Sequence, residues 1–180
     1  MSTLKQSHVL RREALRAAIL QLKLSFGLRV SDLQISYPDF AWGQHTANSK
    51  ELILTNDEQE EAFAILEHSA IYLAVTQILT TLEIIFVKDN FYDDTYTFES
   101  DVVPQAYQIA RLIRNAFAHD PFAPIWEFKP KWANKIYEVP GIIRLDTTGL
   151  NGLPVRQKHY GGPLAVLRFT EYTSRFVSED

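Results

Sequence analysis

The sequence predicts a mainly α-helical bundle with a small antiparallel β appendage between its last two helices. Apolar side chains recur at helical spacing over long stretches of the first two thirds of the chain. After Pro121 and Pro124 the pattern changes to short runs rich in β-branched and aromatic residues, separated by turn residues. We expect a single domain over residues 1–180, with a helical core at about 4–26, 56–120 and 162–177 and a β appendage at about 125–160.

The first predicted helix covers residues 4–26. Leu15, Ile19 and Leu22 lie on one face of it, and Gly27 is expected to end it because glycine readily adopts the left-handed conformation of a helix cap. From residue 31 to 50 the periodicity is lost, and proline, glycine and small polar residues predict a long loop. Residues 51–54 are expected to form a short strand.

Two further helices are delimited by capping signals. Thr55 followed three residues later by Glu58 is a capping-box pattern, and the helix that it begins is expected to run to about residue 88. An acidic, aromatic-rich connector follows at 89–101. Asp101 is then the expected N-cap of a helix over 102–118, where Pro104 is tolerated in the first turn.

The appendage is predicted from three short runs with strand composition, at 125–128, 136–139 and 142–145. Turn residues at 147–152 separate them from Leu153, Pro154 and Val155. A last helix is expected to begin near Gly162 and Pro163.

Composition excludes several classes of protein. The chain has 180 residues, 46% of them hydrophobic and 22% charged, which is typical of a globular protein. It contains no cysteine, so disulfides, thiolate zinc sites and cysteine nucleophiles are excluded. The most apolar stretch, 70–87, is interrupted by threonine, glutamine and glutamate, which favours a buried helix over a membrane span. We therefore expect a cytoplasmic protein.

The net charge of −4 is unevenly distributed. Residues 1–56 carry seven basic and four acidic side chains, whereas residues 57–101 carry one and eleven. Residues 102–168 carry nine basic and four acidic side chains. The total disfavours indiscriminate binding to nucleic acid, but a local RNA site in the last of these segments remains compatible with it.

Common enzyme motifs are missing from the chain. It has no phosphate-binding loop of the G-x-x-x-x-G-K-[ST] type, no G-x-G-x-x-G and no G-x-S-x-G. The five histidines form no i, i+3 or i, i+4 pair, so we expect no metal site and no cofactor.

One segment combines residues suited to phosphate chemistry. Arg114, Asn115 and His119 stand within six residues at the end of the third helix. Asn115 and His119 share a face at i, i+4, whereas Arg114 is about 140° away from His119 on an ideal helix. Arg114 and His119 can therefore converge only if the helix frays or if a second chain supplies one of them.

The motif Arg114-Asn115-x-x-x-His119, at the end of a bundle helix, resembles the higher eukaryotes and prokaryotes nucleotide-binding (HEPN) superfamily. Its members are small helical bundles, often homodimeric, and many are metal-independent endoribonucleases of toxin–antitoxin or defence systems. The resemblance implies an RNA substrate, a homodimer that joins two motifs, and an antitoxin or nucleotidyltransferase-like protein as a candidate partner. His119 would then act as general base or acid, Arg114 would stabilise charge on the phosphate, and Asn115 would orient His119 or the phosphate.

Other interpretations of these residues stay open. Arg114 can simply pair with an acidic residue such as Glu83, and His119 can cap the helix C-terminus. Glu83 is in either case a candidate carboxylate for positioning Arg114. The chain could also be a non-catalytic module of the same fold that binds RNA, nucleotide or a protein partner, or one whose basic appendage engages an acidic protein. Cationic side chains interleaved with an aromatic ring could hold single-stranded RNA, although a solvated surface over core aromatics has the same pattern. The RNA-binding candidates are Arg111, Lys129, Lys131, Trp132 and Lys135.

Overall fold

A computed structural model describes residues 3–30, 40–42, 45–47, 55–86 and 102–177. Within these ranges the chain is mainly helical, with two short antiparallel strand pairs. The helices are α1 (Thr3–Val30), α2 (Asn56–Phe86), α3 (Val102–His119) and α4 (Gly162–Ser174). The strands are β1 (Phe40–Trp42), β2 (His45–Ala47), β3 (Ile136–Val139) and β4 (Ile143–Asp146).

α2 is the central helix of the bundle, because α1, α3 and α4 all pack against it. Its start confirms the predicted capping box. The Thr55 N–H and hydroxyl both donate to Glu58 Oε2 at 2.8 Å, and the Glu58 N–H donates to Thr55 Oγ1 at 3.4 Å. The hydrogen bond from the Thr55 backbone is the main reason why the pKa of Glu58 lies below its ordinary value.

The bundle buries the faces that the helical spacing predicts. The core residues of α1 and α3 include Leu15 and Leu22, and Ile109, Ile113 and Phe117, none of them more than 2% exposed. This core continues into the appendage, where Trp126, Leu145 and Tyr160 are also buried. The appendage therefore shares one hydrophobic cluster with the helices.

α1 continues past Gly27 to Val30, so the predicted C-cap at Gly27 is wrong. Gly27 is not among the glycines with positive φ, and a Cβ added there would meet no atom within 4 Å. The helix tolerates this glycine because the backbone hydrogen bonds of the preceding turn simply continue.

The predicted loop at 31–50 contains a strand pair that the sequence pattern did not indicate. Phe40–Trp42 pairs with His45–Ala47 in antiparallel register. Strands of three residues are too short to show an alternating pattern. The predicted strand at 51–54, the Asp101 cap and the connector at 89–101 lie outside the described residues, as does most of that loop.

The β appendage between α3 and α4 is confirmed as a two-stranded antiparallel sheet. β3 and β4 pair with Tyr137 opposite Leu145 and Val139 opposite Ile143, and all four side chains are buried. β4 begins one residue later than expected. The expected strand at 125–128 is reduced to a single bridge between Ile125 and Pro154. It is held by the Trp126 N–H donating to the Leu153 carbonyl at 2.9 Å.

Gly161 determines how the appendage leads into α4. Its φ is 90°, a left-handed conformation that side chains disfavour. A Cβ at this position would also lie 3.0 Å from the Ala165 Cβ. Glycine at 161 therefore allows the chain to turn tightly into α4, which ends at Ser174 and continues as a 3-10 turn over Arg175–Val177.

One described helix, over Asp57–Ile84, is long and apolar enough to cross a membrane by length and composition alone. Its most apolar window has a mean hydropathy of 1.4, and 39% of that window is buried inside the structure. The central helix of a soluble bundle meets the same criterion. The expectations of no membrane span and of a cytoplasmic location stay predictions.

Candidate functional site

The candidate site lies at the C-terminal end of α3, where the chain leaves the bundle. α3 remains helical through His119. The Asp120 carboxylate then accepts hydrogen bonds from the N–H groups of Phe122 at 2.9 Å and Ala123 at 3.0 Å. This local turn and Pro121 end the helix and leave His119 on its last turn.

Arg114 is half-buried and hydrogen-bonded to its sequence neighbour. Its Nη1 donates to the Asn115 Oδ1 at 3.1 Å. Its Nε is buried and has no hydrogen-bond partner among the described residues. An anion can bind this guanidinium only through its terminal N–H groups, because the buried Nε is out of its reach.

Arg114 does not pair with Glu83 in the described part of the chain, which is the alternative that the sequence left open. Glu83 instead accepts a hydrogen bond of 3.4 Å from the Tyr107 hydroxyl. Tyr107 lies seven residues before Arg114 on α3, so Glu83 contacts the helix about two turns from the motif. No contact among the described residues therefore supports a role for Glu83 in positioning Arg114.

His119 is largely exposed, with 78% of its side chain accessible. Its Nε2 lies 3.9 Å from the Glu127 Oε2, an ion-pair distance when the imidazole is protonated. Glu127 points outward because its neighbours Trp126 and Phe128 are buried on the opposite side. Glu127 was not predicted as a functional residue, although the alternating pattern at 125–128 indicated its outward orientation.

Arg114 and His119 are not brought together within one chain. Because α3 does not fray before His119, the angle of about 140° between the two positions is preserved. Asn115 and His119 lie on neighbouring turns, and Arg111 continues the same row at i−4 from Asn115. The described chain therefore places Asn115 and His119 in one row along α3, with Arg114 outside that row.

Arg111 connects this row to the basic part of the appendage. Its guanidinium carbon lies 5.9 Å from the centre of the Trp132 ring, and the Lys131 Nζ lies 4.9 Å from the same ring. The side chains of Lys129, Lys131 and Lys135 are exposed. Cationic groups from α3 and from the appendage are thus adjacent.

Trp132 cannot provide a stacking surface for bases in this structure. It is 9% exposed, while Trp126 and Tyr137 are 0% and 2% exposed. The rings are core residues, as the alternative interpretation of this segment had it. This corrects the stacking role considered for Trp132 and leaves only the exposed charges available to RNA.

Two hydrogen bonds to His159 join the first and last parts of the appendage, since Trp126 follows α3 and His159 precedes α4. The Trp126 Nε1 donates to the His159 Nδ1 at 2.9 Å, and the Arg156 N–H donates to the same nitrogen at 3.1 Å. Burial, then the charges of Lys158 and Arg156, lower the pKa of His159. His159 is therefore a neutral acceptor with its proton on Nε2. The spacing of residues in the sequence could not predict its partners.

The residues that the structure describes contain no group of three or more histidine, aspartate or glutamate side chains able to hold a metal ion. The chain matches no protein-family model, no curated protein and no solved structure.

Proposed function

We propose that the protein is a metal-independent, HEPN-like endoribonuclease that acts as a homodimer in the cytoplasm. The observation that carries the proposal is the placement of Arg114 and His119 on α3. Arg114 is half-buried and forms no ion pair with a described carboxylate, and His119 is exposed at the helix end. These are an anion-binding group and a proton-transfer group on the same helix.

The reaction would use the RNA's own 2′-hydroxyl as the nucleophile. A bond forms between the 2′-oxygen and phosphorus, and the bond from phosphorus to the 5′-oxygen breaks. The products are a 2′,3′-cyclic phosphate and a 5′-hydroxyl. His119 takes the proton from the 2′-hydroxyl while water protonates the 5′-oxygen, or these two proton transfers are exchanged. Arg114 stabilises the negative charge that develops on the phosphoryl oxygens.

A homodimer follows from the geometry of α3 within this proposal. Since α3 is regular through His119, Arg114 and His119 of one chain point in directions about 140° apart. In a symmetric dimer, Arg114 of one chain can face His119 of the other, and two such composite sites arise by symmetry. Asn115 would then hold Arg114 in position through the 3.1 Å hydrogen bond.

RNA would be held by the cations beside the motif, of which the three lysines are exposed and Arg111 is half-buried. Arg111, Lys129, Lys131 and Lys135 form a positive surface that binds phosphates without reading sequence. The acidic residues 57–101 would repel RNA elsewhere. By the same resemblance we propose a role in a toxin–antitoxin or defence system, with an antitoxin or nucleotidyltransferase-like protein as partner.

A non-catalytic RNA-binding module is the second candidate. The separation of Arg114 and His119 on a regular α3 favours it, because one chain alone then holds no complete pair of catalytic groups. In this case the cations would bind RNA and no strand would be cut.

The proposal is tested by incubating the purified protein with RNA in excess EDTA, beside Arg114→Ala and His119→Ala. Arg16→Ala is a matched control, because Arg16 is an exposed arginine on α1 with 72% of its side chain accessible. We expect cleavage by the wild type and the control, with cyclic phosphate ends, and a loss of about 10²-fold or more in the two motif variants. RNA binding without cleavage would support the second candidate. Cleavage that both motif variants retain would overturn the assigned site.

A further inference from the structure

A cavity of about 300 Å³ opens between the β3–β4 hairpin and the first turns of α4. Its walls come from both strands of the hairpin and from α4, and none of them is a residue of the α3 motif. Apolar side chains, including Ile142, Leu164 and Ala165, form one part of the lining. The charged lining residues are Glu138, Arg144 and Arg168.

The two arginines approach the cavity from different elements of the fold. Arg144 is on β4 and Arg168 is on α4, and both are exposed. No described carboxylate lies within ion-pair distance of either guanidinium. Glu171, one turn after Arg168, lies 3.9 Å from Lys23 of α1 instead. Two arginines that line one cavity without an ion-pair partner among the described carboxylates leave their donors available to an anion.

The acidic groups nearby do not neutralise this pair. Glu138 faces Arg144 across the hairpin in register, but the two do not form an ion pair within 4.0 Å. The Asp146 carboxylate accepts a hydrogen bond of 3.0 Å from the Thr148 N–H. That bond is the main cause of its lowered pKa, and the charge of Arg144 contributes least. The lining therefore carries two positively charged side chains and one negatively charged side chain.

The apolar part of the lining indicates a ligand that carries an apolar group as well as a charge. Leu164 is 55% exposed beside the arginines, and Ile142 is half-buried. Apolar surface at a cavity wall gains free energy when a ligand covers it, while charged groups at the rim orient that ligand. An ion such as chloride would contact only the charged groups and would leave the apolar part of the lining uncovered.

We propose that this cavity binds a small organic anion, with its phosphate or carboxylate group on Arg144 and Arg168 and its apolar body against Leu164 and Ile142. Guanidinium groups bind phosphates and carboxylates bidentately, so both chemistries fit the rim. The proposal is independent of RNA cleavage, because it concerns other residues and its test measures binding alone.

The test is titration calorimetry with phenyl phosphate, benzoate, inorganic phosphate and uncharged phenol as probes. The proteins are the wild type, Arg144→Gln, Arg168→Gln and the control Arg16→Gln, each checked for an unchanged circular dichroism spectrum. We expect saturable binding of phenyl phosphate, benzoate or both, weaker binding of inorganic phosphate and of phenol, and a loss of about tenfold in each pocket variant. Whichever aromatic anion binds more tightly identifies the preferred group.

Two results would overturn the proposal. One is no saturable binding of either aromatic anion to the wild type. The other is binding that Arg144→Gln and Arg168→Gln weaken no more than Arg16→Gln does. Inorganic phosphate binding as tightly as phenyl phosphate would refute the role of the apolar wall.

Discussion

Replacing His159 with alanine should destabilise the appendage, because His159 joins its first and last parts. In the native protein the His159 Nδ1 accepts hydrogen bonds from the Trp126 indole at 2.9 Å and from the Arg156 N–H at 3.1 Å. The alanine variant removes this acceptor. It also removes an aromatic contact, since the rings of Trp126 and His159 lie 6.1 Å apart.

The size of the effect follows from where the two donors lie. Trp126 is 0% exposed, so its indole N–H would lose its acceptor, and water that enters the space of the half-buried His159 ring would lower this cost. An unsatisfied buried donor costs about 1–3 kcal/mol. Arg156 is exposed and its N–H can turn to solvent, so it adds little. We therefore expect a loss of about 2 kcal/mol in the free energy of unfolding, which lowers Tm by roughly 4–8 °C in a chain of this size.

Urea and thermal unfolding at pH 7.5, followed by tryptophan fluorescence, measure this loss. His159→Asn is the matched rescue, because its Oδ1 can accept the indole hydrogen bond and it does not titrate. His119→Ala is the exposed control, with an expected change below about 0.5 kcal/mol. A His159→Ala variant that unfolds at the same urea concentration as the wild type would refute this account of the appendage.

The remaining predictions concern His159, Asn115 and Thr147. Because the pKa of His159 is lowered in the folded state, the unfolded chain binds more protons below about pH 6.5. The stability advantage of the wild type over His159→Asn should therefore shrink as the pH falls below that value. If urea unfolding gives the same difference in free energy between the two proteins at pH 7.5 and at pH 5.5, this prediction is contradicted. Asn115→Ala should reduce RNA cleavage by about tenfold to 10²-fold at unchanged Tm, since it releases Arg114 from its 3.1 Å contact; cleavage rates equal to wild type would refute the positioning role. Thr147→Val should cost about 1–3 kcal/mol in urea unfolding, because the buried Thr147 hydroxyl accepts the Lys135 N–H at 2.9 Å; an unchanged midpoint would show that this N–H finds another partner.

The helices could be predicted because their signals are local. Thr55 and Glu58 are three residues apart and form the capping box that their spacing indicates. Ile109, Ile113 and Phe117 recur every four residues and are buried together. The failure at Gly27 has the same origin, since a glycine at a helix end and one inside a longer helix look alike in sequence.

The candidate site was predictable as a motif but not as a geometry. The Arg114–Asn115 hydrogen bond depends on the rotamers of two neighbouring side chains. The proximity of His119 to Glu127 depends on how the chain turns after Asp120. The hydrogen bond between Trp126 and His159 spans 33 residues. Contacts of this kind are set by tertiary packing, which spacing in one sequence does not contain.

The composite site is tested most directly by mixing two inactive variants. Arg114→Ala and His119→Ala are dissociated, combined in equal amounts, reassociated and assayed for RNA cleavage in EDTA. Half of the dimers are then mixed, and each mixed dimer holds one site with both wild-type residues when Arg114 and His119 come from different chains. The account predicts recovery of about a quarter of wild-type activity. A mixture as inactive as either variant alone, beside an active wild type, would contradict it.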